Sequence, residues 1–458
     1  MAEQFDLIVI GAGSAARDAA KKAVDDYGAR VAMVERERWG GGCPNVACKP
    51  TKAYLVAADL IHDVNGLARE MGIEVGEARP NLERIRSWKR SLQRSQESWV
   101  ELLEGSGIRT FKGVASFIGP KTLRVDGLEL EAERILIATG SRTAVPPIPG
   151  IDEVDWIDHV SALELTDVPE SMIVLGGGPV GLEFGQIFAR FGTRTTIVNS
   201  RPHMAARADR EAAEALQRSL EAEGIELVHE SRARAVRREG DDIVVTLDPS
   251  GREVRASKLL LASGRAINVE ELELELAGVE HAPRGIVVDE YLRTSAEGIW
   301  AAGDVTGLVQ FTPIAQYQAR IAVDDMFGAA ARPADYEFLP TAIFTDPELA
   351  DVGLTAPAAE ERGFEVDSVV HPVQHVTRAG YVRLQHGLYK VVFDRTTRRV
   401  LGIHIVSRGA SDVVQGLAVA LKLGVTVDEL ALSHHVYPSW GEGVKAAAER
   451  ALAPVASR

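Results

Sequence analysis

The same plan is written twice in this chain. Residues 5–37 (FDLIVIGAGSAARDAAKKAVDDYGARVAMVERE) and 171–202 (SMIVLGGGPVGLEFGQIFARFGTRTTIVNSRP) each run as a short aliphatic strand, a glycine-rich turn, a helix and a second aliphatic strand. Gly28 or Gly192 closes the helix, as glycine commonly does, and strand–helix–strand order implies parallel pairing. Such a turn lets backbone amides approach a pyrophosphate, which the positive end of the helix then stabilises. Gly11, Gly13 and Ala16 supply the turn in the first unit; Gly176, Gly178 and Gly181 supply it in the second. Ala16 stands for a third glycine, a position that needs only a small side chain for helix–strand packing. One motif of this kind is weak evidence. Two copies, each in its strand and helix context, predict two dinucleotide sites.

The end of the second strand separates the ligands. Glu35 stands there in the first unit, where a carboxylate can accept hydrogen bonds from both hydroxyls of an adenosine ribose. Aligning the units on Gly28 and Gly192 places Asn199 opposite Glu35. An acid at that point repels a 2′-phosphate and a neutral amide does not. Arg201, His203 and Arg207 follow directly and could neutralise that phosphate. The second site is therefore expected to take NADPH, with NADH possible.

Composition narrows the class. A chain of 458 residues has room for about three domains. It is 46% apolar and 26% charged, as soluble globular proteins are, and its net charge of −15 with no long basic run excludes a nucleic-acid partner. The opening MAEQFDLIVIGAG lacks a positive n-region and breaks at Gly11, so it reads as a buried strand and not a secretory signal. No stretch approaches the ~20 apolar residues that span a bilayer. The two cysteines, within six residues of each other, cannot form a disulfide framework and point to a reducing, cytoplasmic compartment.

Between the repeats, residues 81–104 are predicted to form one helix with Ile85, Trp88, Leu92, Trp99 and Leu103 on one face. The cations between them read as a solvated face. Segments 110–139 and 225–262 alternate like short antiparallel strands and end in similar tails, RILIATGSR and KLLLASGRA. The proline-rich stretch 146–149 reads as a crossover, and a further change falls near 332–340.

The cysteines sit in GGCPNVACKPTK, where Gly40, Gly41 and Gly42 give a flexible approach and Pro44 restrains the chain. Cys43 and Cys48 are expected at the start of one helix, where the helix dipole together with Lys49 and Lys52 favours thiolate. Such a pair can close into a strained, reducible disulfide.

This segment resembles the active-site helix of the pyridine nucleotide–disulfide oxidoreductases, the flavoproteins that include glutathione reductase, dihydrolipoamide dehydrogenase and mercuric reductase. The likeness covers almost the whole chain, in order: GAGSAA from residue 11, GGCPNVACKPTK, ATGS at 138–141, GGGPVGLEFG at 176–185, AAGDVTG at 301–307 and FTDPELADVGL at 344–354. It implies an α/β fold with two Rossmann-like dinucleotide-binding domains plus an α+β C-terminal dimerisation domain. The expected segments are 1–150 and 270–337 for FAD, 151–269 for NAD(P)H and 338–458 for dimerisation.

The resemblance also implies roles. Cys48 would lie against the flavin and Cys43 would face the substrate. Lys52 matches the lysine beside flavin N5, Glu183 the acid that pairs with it, and Asp304 the residue that holds the ribityl chain. Gly42, Thr139, Gly140, Gly303 and Arg265 fall in or beside these motifs and are expected to line the cofactors. The implied cycle moves hydride from nicotinamide to flavin, then electrons to the disulfide and on to a small-molecule acceptor. The family pairs two subunits, so a homodimer is expected; no resident metal is.

One motif departs from the pattern. Disulfide reductases of this family carry His-Pro-Thr near the C-terminus with a glutamate beyond it; here the segment reads SHHVYPSWGEGVKAAA. Pro438 and Glu442 fall into place and Tyr437 occupies the histidine position. A phenol with pKa near ~10 cannot shuttle protons at neutral pH as imidazole can. His434 or His435 could supply a base, or serve only as a hydrogen-bonding partner. Tyrosine followed by Glu-Gly-x-Lys resembles mercuric reductase, whose C-terminal cysteine pair is not found in the final residues ALAPVASR. A low-molecular-weight disulfide, a quinone and a metal ion all remain acceptors. A lipoamide-type subunit and a slow flavin-bearing redox sensor are the alternatives.

Overall fold

The computed structural model describes residues 2–452; the end of ALAPVASR lies outside the described residues. The chain forms two compact units assembled from segments far apart in sequence. The first takes the N-terminal segment through Thr51, Ser87–Ala144 and Gly264–Asp335; the second takes Lys52–Arg86, Val145–Ser263 and the chain from Tyr336 onward.

The first unit is built on a five-stranded parallel sheet in the order Ile299–Ala301, Ile135–Ile137, Leu7–Ile10, Val31–Glu35, Ile108–Lys112. Leu7–Ile10 lies at its centre and all four residues are buried, which is why it reads as an unbroken aliphatic run: a parallel strand covered on both faces has no solvent side. Helix α1 (Ser14–Tyr27) lays Ala15, Ala16, Ala19, Ala20 and Ala23 into this core. Those small side chains let helix Thr312–Met326 approach, and its Ala319 and Ala322 join the same cluster. Gly28 ends α1 in the left-handed region at φ 63, donating its N–H to the carbonyl of Val24. Helix α2 (Cys48–Asn65) starts in the first unit and continues into the second.

The second unit repeats the plan. Its parallel sheet runs Trp156–Ile157, Lys258–Leu261, Ser171–Leu175, Arg194–Val198, Glu226–Val228, with helix α3 (Pro179–Phe191) packed on it and Gly192 closing α3 at φ 104. An antiparallel three-stranded meander spans Arg232–Ala256. The C-terminal part is a five-stranded antiparallel sheet in the order Thr341–Ile343, Glu348–Gly353, Val400–Ser407, Leu388–Asp394, Val366–Pro372. Helices Ala410–Lys422, Val427–Leu432 and Glu442–Leu452 complete its core. Among the described residues no helix is long and apolar enough to cross a membrane.

Three sequence expectations change. The single helix over 81–104 is two, Leu82–Ser91 and Gln96–Gly105, because Ser95 caps the second by accepting a hydrogen bond from the N–H of Ser98. The break rotates the apolar stripe out of register: Trp99 and Leu103 are buried while Trp88 and Leu92 are exposed. Segments 110–139 and 225–262 hold antiparallel ladders, yet Ile108–Lys112, Ile135–Ile137, Glu226–Val228 and Lys258–Leu261 at their margins pair in parallel. Finally, Cys43 does not share a helix with Cys48. It sits on a separate one-turn helix, Gly42–Asn45, and α2 begins only at Cys48.

Candidate active site

In the first cradle Gly11 adopts φ 106 directly after its strand, and a side chain there would collide with the carbonyl of Ala138. Gly13, the residue before α1, faces open space, where an added Cβ meets nothing within 4 Å. That opening beside free helix amides is what a diphosphate needs, so these residues fit a dinucleotide. Gly41 lies so close on Gly13 that a Cβ on it would meet the Gly13 backbone, which ties the cysteine loop to the cradle.

Glu35 is held rigidly: its carboxylate accepts the N–H of Ala12 (2.9 Å), Glu37 (2.6 Å) and Arg38 (3.1 Å). About four lone-pair directions belong to a carboxylate, so capacity for a ribose hydroxyl remains. A cleft beside it is lined by Gly11, Glu35, Val114, Thr139 and Asn268. Thr139 donates its hydroxyl to the carbonyl of Asn268, and the Gly140 carbonyl accepts the Asn268 N–H. Asp304 follows Gly303, whose N–H is held by Gln318. The Asp304 carboxylate accepts the Ser141 hydroxyl at 2.6 Å and lies 3.3 Å from Arg265, which also donates to the Ser141 Oγ.

Cys43 and Cys48 are not joined in a disulfide. Asn45 rigidifies their loop by donating to the carbonyls of Trp39 and Gly41. The Cys48 Sγ lies 3.6 Å from the Thr312 hydroxyl. A hydrogen bond with Cys48 pulls the Cys43 thiol from its ordinary 9 down to about 6, against burial, which pushes it up. Thr312, Lys49 and Arg17 pull the same way. These contacts favour the thiolate form of Cys43.

One turn beyond Cys48 on α2, Lys52 donates to Glu183 at 2.7 Å and lies 4.2 Å over the ring of Phe344. Glu183, from α3, uses its other oxygen to accept the N–H of Phe344.

The second cradle opens α3. Gly176 takes φ 126 against the carbonyl of Ala262, Gly178 faces open space, and a side chain at Gly181 would strike the Gly176 carbonyl. Asn199 is buried, and its amide donates to the carbonyls of Arg201 and His203, shaping the loop that carries the exposed Arg201 and Arg207.

Two cradles and a close pair of cysteines point to one ancestry, and the relatives of this chain agree. The family described as pyridine nucleotide-disulphide oxidoreductase matches residues 5–319, and its dimerisation domain matches 339–448. The chain belongs to the pyridine nucleotide-disulphide oxidoreductases. It is an FAD-dependent enzyme working with NAD(P)H, as its family is. It is 39% identical to the mercuric reductase of Streptomyces lividans over 99% of this chain and 97% of that one. It is 35% identical to the dihydrolipoyl dehydrogenase of Thermus scotoductus over 97% of each. The HOCl-induced flavoprotein disulfide reductase RclA of Escherichia coli superposes with a TM-score of 0.87 at 29% identity, covering 97% of this chain and 99% of that one. The Cu(II) complex of RclA superposes equally well.

In this pyridine nucleotide-disulphide oxidoreductase the C-terminal segment belongs to the second unit, the cysteines to the first. Tyr437 is exposed, and its hydroxyl accepts a 3.3 Å hydrogen bond from Thr377. Glu442 spends both oxygens on backbone, accepting the N–H of Thr377 and of Ser439. His435 shares a 2.9 Å hydrogen bond with the Ser433 hydroxyl, and burial pushes its imidazole below the ordinary value; His434 is exposed. Sequence reading missed Thr312 and Phe344. Phe344 opens the FTDP motif and was within reach; nothing in the sequence marks Thr312, because only folding carries it to the thiols.

Proposed function

We propose that this enzyme is an NADPH-consuming reductase that passes electrons through Cys43 and Cys48 to a soft, thiol-seeking metal ion. The observation that carries this reading is the Cys43 thiol, ionised near neutrality beside a second, exposed thiol. Thiolate pairs select soft cations. Such an acceptor needs no proton delivered to sulfur, so Tyr437 in the histidine position is no handicap, whereas an organic disulfide leaving as thiol requires an acid. The names of the mercuric reductase relatives and the Cu(II) complex of RclA support the same class.

Gly11, Gly13, Ala16, Glu35 and Asp304 would hold FAD; Gly176, Gly178, Gly181 and Arg201 would hold NADPH. Bound FAD supplies two-electron transfer between NADPH and the cysteine pair. Cys43 captures the metal ion as a thiolate, and oxidation of the two cysteines to a disulfide releases two electrons, which reduce one Hg(II) to Hg(0) or two Cu(II) to Cu(I). Thr312 steadies Cys48 through its hydroxyl. Lys52, locked between Glu183 and the Phe344 ring, keeps a fixed positive charge one turn from Cys48. A cytoplasmic homodimer fits this reading: exposed Val419, Leu423, Leu432 and Val436 lie in the segment that matches the dimerisation domain.

The test is NADPH oxidation with Hg(II) or Cu(II), an aromatic disulfide or a quinone as acceptor, in wild type and Cys43→Ser. Metal-dependent turnover should fall at least about 100-fold in the variant, as loss of a reacting nucleophile does. A variant that keeps full turnover with metal ions defeats the proposal, and one active only on quinones moves the function to direct quinone reduction.

A further inference from the structure

Arg17 has no role in any motif above, and its surroundings are unusual. It is the fourth residue of α1, and long side chains on a helix lean back toward its N-terminus. Arg17 does so. Its Nη2 reaches the hydroxyl of Ser14, first residue of the helix and neighbour of Gly13, at 3.5 Å. Its guanidinium lies on the face of buried Trp99, with Cζ 4.6 Å from the ring centroid. Trp99 in turn is wedged against Gly40, where even a Cβ would clash with the indole.

The Cys43 thiol and Asp18 lie near enough to act on this cation, yet no ion pair holds it. Among the described residues no carboxylate stands within ion-pair distance of it, and its Nε is buried with no acceptor. The adjacent Asp18 is engaged by Arg320 at 2.6 Å. The first turn of α1 contains no acidic residue, so the positive helix end there is also unbalanced. Burial pushes the guanidinium below its ordinary pKa. A half-buried cation with its Nε–H unsatisfied gains from an anion beside it.

The internal repeat says that packing does not demand the arginine. The residue four past Gly13 is Arg17; four past Gly178 it is Leu182, fully buried in the core of the second unit. The same helix position thus carries an aliphatic anchor in one cradle and a half-buried cation in the other.

We propose that Arg17 is a diphosphate-binding residue: its guanidinium, held on Trp99 beside Ser14 and Gly13, supplies the counter-charge to the diphosphate of FAD in the first cradle. A dianion there compensates the side chain and the helix end together, and its oxygens take the unsatisfied donor. The neighbouring Cys43 offers a second source of anion, a negatively charged acceptor, and the experiment separates the two.

The dissociation constant for FAD is measured by flavin fluorescence on wild type, Arg17→Lys and Arg17→Met at low and high salt. Loss of one charge-assisted contact should weaken FAD binding about 10- to 100-fold in Arg17→Met, less in Arg17→Lys, and flatten the salt dependence. In wild type, FAD should also protect Arg17 from phenylglyoxal, read by peptide mass spectrometry, and this arm stands even where Arg17→Met does not fold. Unchanged FAD affinity, or equal modification with and without FAD, overturns the proposal. A raised KM for the dianionic disulfide 5,5′-dithiobis(2-nitrobenzoate) but not for cationic cystamine, with FAD affinity intact, assigns Arg17 to the acceptor instead. Failure here leaves the metal-ion reading of the thiols untouched, since that reading falls only with Cys43→Ser.

Discussion

The two cradles share a backbone plan and differ in how they are finished. In the first, Glu35 is pinned by three backbone N–H groups, Gly41 closes over Gly13, and Arg17 keeps a buried Nε with no acceptor at the helix start. In the second, the matching positions are Asn199, whose amide is spent on shaping its own loop, and Leu182, which only packs. The cations of that loop, Arg201 and Arg207, point into solvent. One cradle is preorganised around a fixed charge pattern, as suits a cofactor that stays; the other offers exposed charge to a ligand that comes and goes. A repeat therefore shows fold twice and function once per copy.

The comparison breaks most visibly at the open glycines. Gly13→Val should yield a folded, colourless protein, because an added Cβ meets nothing within 4 Å and would occupy the proposed diphosphate space. Gly178→Val should keep the yellow flavin yet slow its reduction by NADPH at least about 100-fold in stopped flow, a loss of roughly 2.7 kcal/mol or more in binding or transition-state terms. A Gly178→Val protein that loses its flavin as well would erase the division of labour between the cradles.

A smaller effect sharpens it. Asn199→Glu restores an acid where the first cradle has Glu35, and the ratio of kcat/KM for NADPH to that for NADH should drop about 10-fold, as one charge-assisted contact is worth. No change in that ratio would mean Arg201 and Arg207 only decorate the loop.

The smallest concerns the thiol beside the first cradle. The Cys43 thiol titrates near 6 in the fold and near 9 when unperturbed. A depressed acid adds stability that is complete above the unfolded value and lost as pH falls through the folded one. Reduced protein should accordingly lose melting temperature between pH 9 and pH 6 relative to reduced Cys43→Ser, and iodoacetamide should label Cys43 with a midpoint near pH 6. Identical melting curves across that range would contradict it.

Most of the architecture could be read from the chain because it rests on local rules. Aliphatic runs buried on both faces, glycines at helix ends and alanines along α1 carry their reasons in their own neighbourhood, and so do the turn glycines and Glu35. The helix predicted over 81–104 failed for a local reason too, a serine cap that periodicity does not register. The rest depended on partners distant in sequence. Lys52 meets Glu183 and Phe344 across 131 residues and more, Cys48 meets Thr312 across 264, and no spacing rule relates such positions. The charge on Arg17 was visible in the sequence as an ordinary helix arginine. Only folding, which lays it on Trp99 with its Nε buried and no acceptor, turned it into a group suited to an anion.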